Sequence, residues 1–234
     1  MIQMNLKQIL AIMKSKGYKV FTRPYELNIV AFRSTEEPNK FDDPINVFYK
    51  DDQGQWILKQ FQATTDAGTY YLLNPINNLG TAMLKEGQWI DSWKIGLHKG
   101  QYSALVQSKP VTTYRDYDRN AVFDFGQNTS TGMYGINIHK AGKDSSEVNN
   151  WSAGCQVFKK SSDFAEFMKM AEKQRSLYGN NFTYTLIDLR EAKRTLRRRL
   201  LYLGIGALAV GILAYNYYKH GTLIPKLPSK FLKK

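Results

Sequence analysis

The sequence predicts a mainly β domain with flanking helices, followed by one C-terminal transmembrane helix. Three observations carry that expectation. Between residues 21 and 158, short runs of β-branched and apolar residues alternate with Gly, Asn and Pro punctuation. On either side of that stretch, apolar residues recur at helical spacing. Leu200–Tyr218 is then nineteen residues without a charge.

Leu6, Ile9, Leu10 and Met13 fall at i, i+3, i+4 and i+7, with Asn5 as N-cap and Gly17 as a stop. That spacing predicts a short amphipathic helix over 6–16. From Lys19 the helical period is lost. Leu27–Phe32 is rich in β-branched and apolar residues and reads as a strand buried on both faces. Ile45–Lys50 and Gln55–Ala63 read as two strands joined at the turn Asp51-Asp52-Gln53-Gly54. Further strands are expected at Lys94–Leu97, Ala104–Gln107, Ala121–Phe125 and Gly135–His139.

After Phe158 the period returns to helical. Ser162 or Asp163 can cap, Glu166 sits in the first turn, and Gly179 ends the segment. Phe164, Phe167, Met168 and Ala171 form its apolar face. Phe182, Tyr184 and Leu186 then alternate as a last strand. The resulting organisation is an N-terminal helix and lead-in (1–20), one domain (21–190), a basic juxtamembrane segment (191–199), a transmembrane helix (200–218) and a basic tail (219–234).

At 1.5 Å per residue the uncharged run spans roughly 28 Å, enough to cross a hydrocarbon core. Arg197-Arg198-Arg199 and the tyrosines at its far end suit the two interfaces. Both flanks are basic, so the positive-inside rule leaves the orientation open. The start lacks a continuous apolar stretch, because Lys7, Lys14 and Lys16 interrupt it, and no small-residue cleavage site follows. An export signal is therefore not expected.

The formal charge of +13 invites a nucleic-acid reading, but its distribution argues against one. Residues 193–234 hold ten Lys or Arg and no acid, which leaves 23 basic against 20 acidic residues in 1–192. Basic residues beside a membrane helix are accounted for by anionic lipid headgroups, so lipids, and no nucleic acid, are the expected partners of the tail.

Cys155 is the only cysteine, so an intrachain disulfide and a multi-thiolate metal site are excluded. It stands in Ser152-Ala153-Gly154-Cys155, sixteen positions after the histidine of Gly135-Ile136-Asn137-Ile138-His139. The polar loop between them can return the chain and lay Cys155 beside His139, and a Cys–His pair is a workable nucleophile and base. Each alone has a blander reading: an inert buried cysteine and a structural histidine. No metal and no organic cofactor is expected.

Taken together, the segment from Gly135 to Val157 resembles the signature of the L,D-transpeptidase catalytic-domain (YkuD-type) family. In that family a histidine is followed, about fourteen to seventeen residues later, by Ser/Thr-His-Gly-Cys. The resemblance implies an L,D-transpeptidase-like β-sandwich. It also implies acyl transfer on peptidoglycan stem peptides through a thioester on Cys155, with His139 as base. Ser152 and Gly154 match the positions that shape the thiol loop and oxyanion site. Tyr134, His98 and Gln156 are candidate substrate contacts, although His98 in Gly96-Leu97-His98-Lys99-Gly100 reads more readily as a solvent-facing turn residue.

Three departures stand out. Ala153 replaces the second histidine, Lys140 the glycine that commonly follows the first, and Gln156-Val157 lacks the Arg or Asn that many members carry two places after the cysteine. Divergent, phage-associated relatives look similar to this Ser-x-Gly-Cys-Gln form. The alternative to an enzyme is a membrane-anchored structural protein, such as a virion or envelope component, that keeps the fold without turnover. Trp89 and Trp93 read as core packing or as a peptide groove, and Asp42-Asp43 and Asp51-Asp52 as solvated turn acids.

Overall fold

The computed structural model describes residues 3–34, 39–123, 125, 128–142 and 145–189. Within them the capping prediction at the N-terminus is met in detail. Helix α1 runs Leu6–Ser15, and the Asn5 side chain accepts from the Gln8 N–H while the Gln8 side chain accepts from the Asn5 N–H.

Among the described residues eleven strands follow, with two further helices. They are β1 (Asn28–Arg33), β2 (Asp43–Lys50), β3 (Trp56–Thr64), helix α2 (Thr69–Leu73), β4 (Thr81–Leu84), β5 (Gly87–His98), β6 (Tyr102–Gln107), β7 (Val111–Asp116), β8 (Thr129–Gly132), β9 (Ile138–Lys140), β10 (Gln156–Phe158), helix α3 (Ser161–Tyr178) and β11 (Phe182–Asp188). A single 3-10 turn at Asn149–Trp151 precedes β10.

Eight strands close into a barrel in the order β1-β11-β5-β6-β9-β10-β3-β2, and β4, β7 and β8 form a separate three-stranded sheet. The expected β-sandwich is therefore corrected to a closed barrel with an accessory sheet. The physical reason lies in two parallel pairings, β1 with β11 and β9 with β10, which join the antiparallel pieces edge to edge. Closure gives strands a ladder partner on both sides and removes the open edges that a sandwich would leave.

The transmembrane helix of the expected fold class has no counterpart among the described residues, where no helix is long and apolar enough to cross a membrane. The expected span 200–218, its basic flank and the tail lie outside the described residues.

Alternation along β1 sorts its side chains onto two cores. Ile29 and Ala31 enter the barrel interior with Ile45, Val47, Trp93, Leu105, Ile138, Phe158 and Leu186. Val30 and Phe32 point outward, where Ile9 and Met13 of α1 cover them together with Phe48 and Ile187. This two-sided burial is what the uninterrupted apolar run of β1 predicts. The hairpin between β2 and β3 is held by the Asp51 side chain, which accepts from the N–H groups of Gln53 and Gln55, with Gly54 at φ +76°.

Helix α3 starts without a side-chain cap, its N-cap being Lys160 rather than Ser162 or Asp163. Phe164, Phe167 and Ala171 are buried, and the Phe167 ring stacks on Phe158 of β10 at 5.0 Å. Gly179 at φ +88° ends the helix.

Several expectations are corrected locally. Residues 121–123 form no strand, and the Gly135–His139 strand is confined to Ile138–Lys140. Asp43 is not a solvated turn acid. It is fully buried on β2 and accepts from the Ser34 N–H and from the Thr65 N–H and hydroxyl. Trp93 is core, fully buried with its indole N–H donating to the Ile136 carbonyl.

The two-core construction predicts that Ile9→Ala leaves a void between α1 and the barrel and lowers stability by about 2–5 kcal/mol. Denaturant titration with an unchanged slope would show it, and Cys155 alkylation should not change.

Candidate active site

The parallel register of β9 and β10 sets Gln156 opposite Ile138 and Val157 opposite His139. The Gln156 N–H donates to the Asn137 carbonyl at 2.9 Å, so Cys155 falls level with Asn137 one step before the ladder. Strand alternation then places Cys155 and His139 on one face, and Gln156 and Phe158 on the other. The hydrogen bonds agree: the Asn137 N–H donates to Cys155 Sγ, and the thiol donates to the Gly135 carbonyl, each at 3.4 Å.

Cys155 and His139 both line one cavity of about 460 Å3, together with His98, Tyr134 and Asn137. Its far wall includes Ala82 of β4 and Arg115 of β7, so the cavity lies between the barrel and the accessory sheet.

The thiol loop is built by Ser152 and Gly154. The buried Ser152 hydroxyl donates to the Cys155 carbonyl at 2.8 Å and accepts from the Gly154 N–H at 3.1 Å. Gly154 adopts φ +115°, and a Cβ there would sit 1.9 Å from the Ala82 carbonyl oxygen. Both facts demand glycine. The Cys155 N–H donates to no acceptor among the described residues.

The two imidazoles have complementary tautomers, assigned from their partners. His139 Nδ1 lies 2.9 Å from the Lys140 carbonyl, which can only accept, so Nδ1 carries the hydrogen and Nε2 keeps its lone pair. Tyr102 Oη stands 3.2 Å from the same Nδ1. Asn137 Oδ1 accepts from the Gln107 N–H at 3.0 Å, which turns its amide NH2 towards His98 Nδ1, also at 3.0 Å. His98 Nδ1 is therefore an acceptor, and its hydrogen resides on Nε2. The rings of His98 and His139 stack at 4.0 Å.

Both groups rest neutral. Burial, reinforced by the stacked His98, pushes His139 down to about 3. Burial likewise lowers His98 and raises the Cys155 thiol above its ordinary 9.0. The thiol spends its hydrogen bonds on backbone groups rather than on an imidazole, so no thiolate–imidazolium pair is formed in this state.

Of the sequence-predicted residues, Cys155, His139, His98 and Tyr134 meet at the cavity, and Ser152 and Gly154 stand directly beneath it. Gln156 does not face it. That side chain is fully buried on the opposite face of β10 and accepts from the Tyr184 hydroxyl at 2.7 Å. His98 is no solvent-facing turn residue, being buried at the end of β5.

Sequence reasoning missed Gln107 and Asn137. The Gln107 side chain donates to the carbonyls of Lys109 and Gly132 and accepts from the N–H groups of Tyr134 and Ile136. It clamps the segment that forms the wall beside the thiol. An isolated glutamine at a strand end carries no signal that could have revealed this.

No family model, no curated protein and no solved structure matches this chain. Among the described residues, no group of three or more His, Cys, Asp or Glu could hold a metal ion. What geometry defines is a cysteine and two histidines of opposite tautomer around one cavity. The L,D-transpeptidase resemblance rests on the motif residues alone.

Iodoacetamide alkylation of Cys155 should rise steadily with pH through 7–9, without the acid-range plateau that a preformed thiolate–imidazolium pair would give. Because folded His139 takes up a proton only near 3 while the unfolded imidazole does so near 6.5, falling pH across that window must erode stability. The comparison of wild type with His139→Gln in acid denaturation should show a shallower loss in the variant.

Proposed function

We propose that the chain is a cysteine-dependent acyl-transfer enzyme acting on peptidoglycan stem peptides, with Cys155 as nucleophile and His139 as base. The observation that carries the chemistry is the placement of the Cys155 thiol and the unpartnered Nε2 of His139 on one face of adjacent strands, both lining one cavity. The choice of stem peptides rests on the Gly135–Val157 resemblance.

The resting neutral pair requires that proton transfer accompany attack. The thiol gives its proton to His139 Nε2 as sulfur adds to the amide carbonyl, and the oxygen that becomes negative is met by the Cys155 N–H. The His139 Nδ1–H bond to the Lys140 carbonyl steadies the imidazolium that results. Collapse breaks the C–N bond, the imidazolium protonates the leaving amine, and a thioester remains. Water or an amine then attacks the thioester, yielding a carboxylic acid or a new amide and regenerating the thiol. Hydrolysis makes the enzyme a carboxypeptidase or endopeptidase, and aminolysis makes it a transpeptidase.

A second reading, a structural protein that keeps the fold without turnover, is favoured by one observation. The thiol is raised and bonded to backbone groups in the resting state.

Incubating the full chain and its Cys155→Ala variant with tetrapeptide and pentapeptide muropeptides, read by mass spectrometry, separates the two. The enzyme reading expects loss of a terminal residue or a new cross-link with wild type only, and a mass increase on Cys155 under acid quench. If neither form alters any substrate and Cys155 resists iodoacetamide even at high pH, the structural reading replaces it. His139→Gln should lower turnover by about 10²–10⁴-fold.

A further inference from the structure

Resting on that proposed function, we infer that Arg115 is the recognition point for a free carboxylate carried by the acyl-donor peptide. Arg115 belongs to β7 of the accessory sheet, far along the chain from the Cys–His motif, and pairs in register with Ala82. Its side chain is only 6% exposed and lines the cavity that also holds the thiol.

The guanidinium is held in place on three sides. Nε donates to the Ser130 hydroxyl and Nη1 to the Gly80 carbonyl, each at 3.2 Å. The Tyr134 ring covers one face of the guanidinium, its centroid 4.5 Å from Cζ. All three partners are neutral. Nη2 makes no hydrogen bond to the described residues, and no carboxylate among them pairs with Arg115. Its neighbour Asp116 projects to the opposite face of β7 by strand alternation.

A permanently charged group so deeply buried is costly unless an anion arrives to pair with it. Among the described residues the cavity supplies none. Those that line it include Arg115 and Lys99 and no Asp or Glu, so their charge selects an anionic ligand. A planar guanidinium already fixed through Nε and Nη1 offers its remaining N–H groups at a defined angle, which suits a peptide carboxylate. Lys99, exposed at the rim beside His98, adds an unspecific attraction.

Arg115 thus reaches the cavity from a different sheet than Cys155. It also defines the donor. The peptide would carry a free carboxylate apart from the carbonyl that sulfur attacks, and converting that carboxylate to an amide would remove recognition.

The test uses the full chain and reads protection of Cys155 from iodoacetamide by a stem tetrapeptide with free carboxylates or by the same peptide with its carboxylates amidated. The free-carboxylate peptide should protect wild type at a concentration at least about ten-fold lower than the amidated one. Arg115→Gln should abolish that difference, and Arg115→Lys should retain only part of it, since an ammonium lacks the planar fork that meets a carboxylate with two parallel N–H groups. The wild-type comparison needs no substitution, so it holds even if Arg115→Gln fails to fold.

Equal protection by the two peptides, or undiminished selectivity in a folded Arg115→Gln, overturns the inference. Absence of protection by either peptide overturns it too, while cysteine-dependent turnover of muropeptides would still uphold the acyl-transfer reading. Selective, Arg115-dependent protection without any turnover would do the reverse, sustaining the carboxylate site and sinking the enzyme.

Discussion

The three-residue parallel pairing of β9 with β10 is the constraint on which the site depends. It is short, but it lies inside a closed barrel, with β6 on one side and β3 on the other. Register in such a place is not free to slip, because a shift of one residue would turn Phe158 and Ile138 out of the core and drive His139 and Val157 into it. The same packing that buries Phe158 against Phe61 and Phe167 thus sets Cys155 level with Asn137. The placement of Cys155 beside Asn137 and His139 is a by-product of core packing on the opposite face.

Around that pairing the second sheet is joined by a contact that tolerates no side chain. The backbone of Gly154 lies against the carbonyl of Ala82, and the residue paired with Ala82 across the β4–β7 ladder is Arg115. One close approach therefore ties the thiol loop to the strand pair that carries the buried cation. Gln107 of β6 and Asn137, immediately before β9, complete the frame, the first by holding the wall segment and the second by orienting His98. Polar groups here are spent on positioning backbone, which explains how so few titratable side chains define the cavity.

The field of Lys99 opposes burial on the thiol and reinforces it on the two imidazoles. Burial keeps both the thiol and His139 neutral, while Lys99 lies close enough to lower the thiol and both imidazoles. Entry of an anionic ligand would offset the positive field and make protonation of His139 easier. Under the acyl-transfer reading, substrate binding and base strength are therefore coupled, and the free state is protected from adventitious thiol chemistry.

What the sequence determined by itself was local. Asn5 and Gln8 specify the first helix through a reciprocal cap, the apolar run of β1 specifies two-sided burial, Asp51 and Gly54 specify the first hairpin, and the spacing of Phe164, Phe167 and Ala171 specifies the face of α3. Each depends on neighbours within a few residues. The segment from His139 to Cys155 was legible as a motif, and Ser152 bonds within its own loop, whereas Gly154 also packs against Ala82 of another sheet. What only the tertiary structure decided depends on long-range pairing. Barrel closure needs β1 beside β11, about 150 residues on, and nothing local distinguishes that from an open sandwich. The accessory sheet escaped notice because β8, Thr-Ser-Thr-Gly, has no apolar alternation to read. Gln156 looked like a substrate contact by adjacency to the cysteine, yet the period of two turns it inward to Tyr184. Arg115 and Gln107 look like any strand residues until folding removes water from them, and it is desolvation, which no residue possesses alone, that makes them matter.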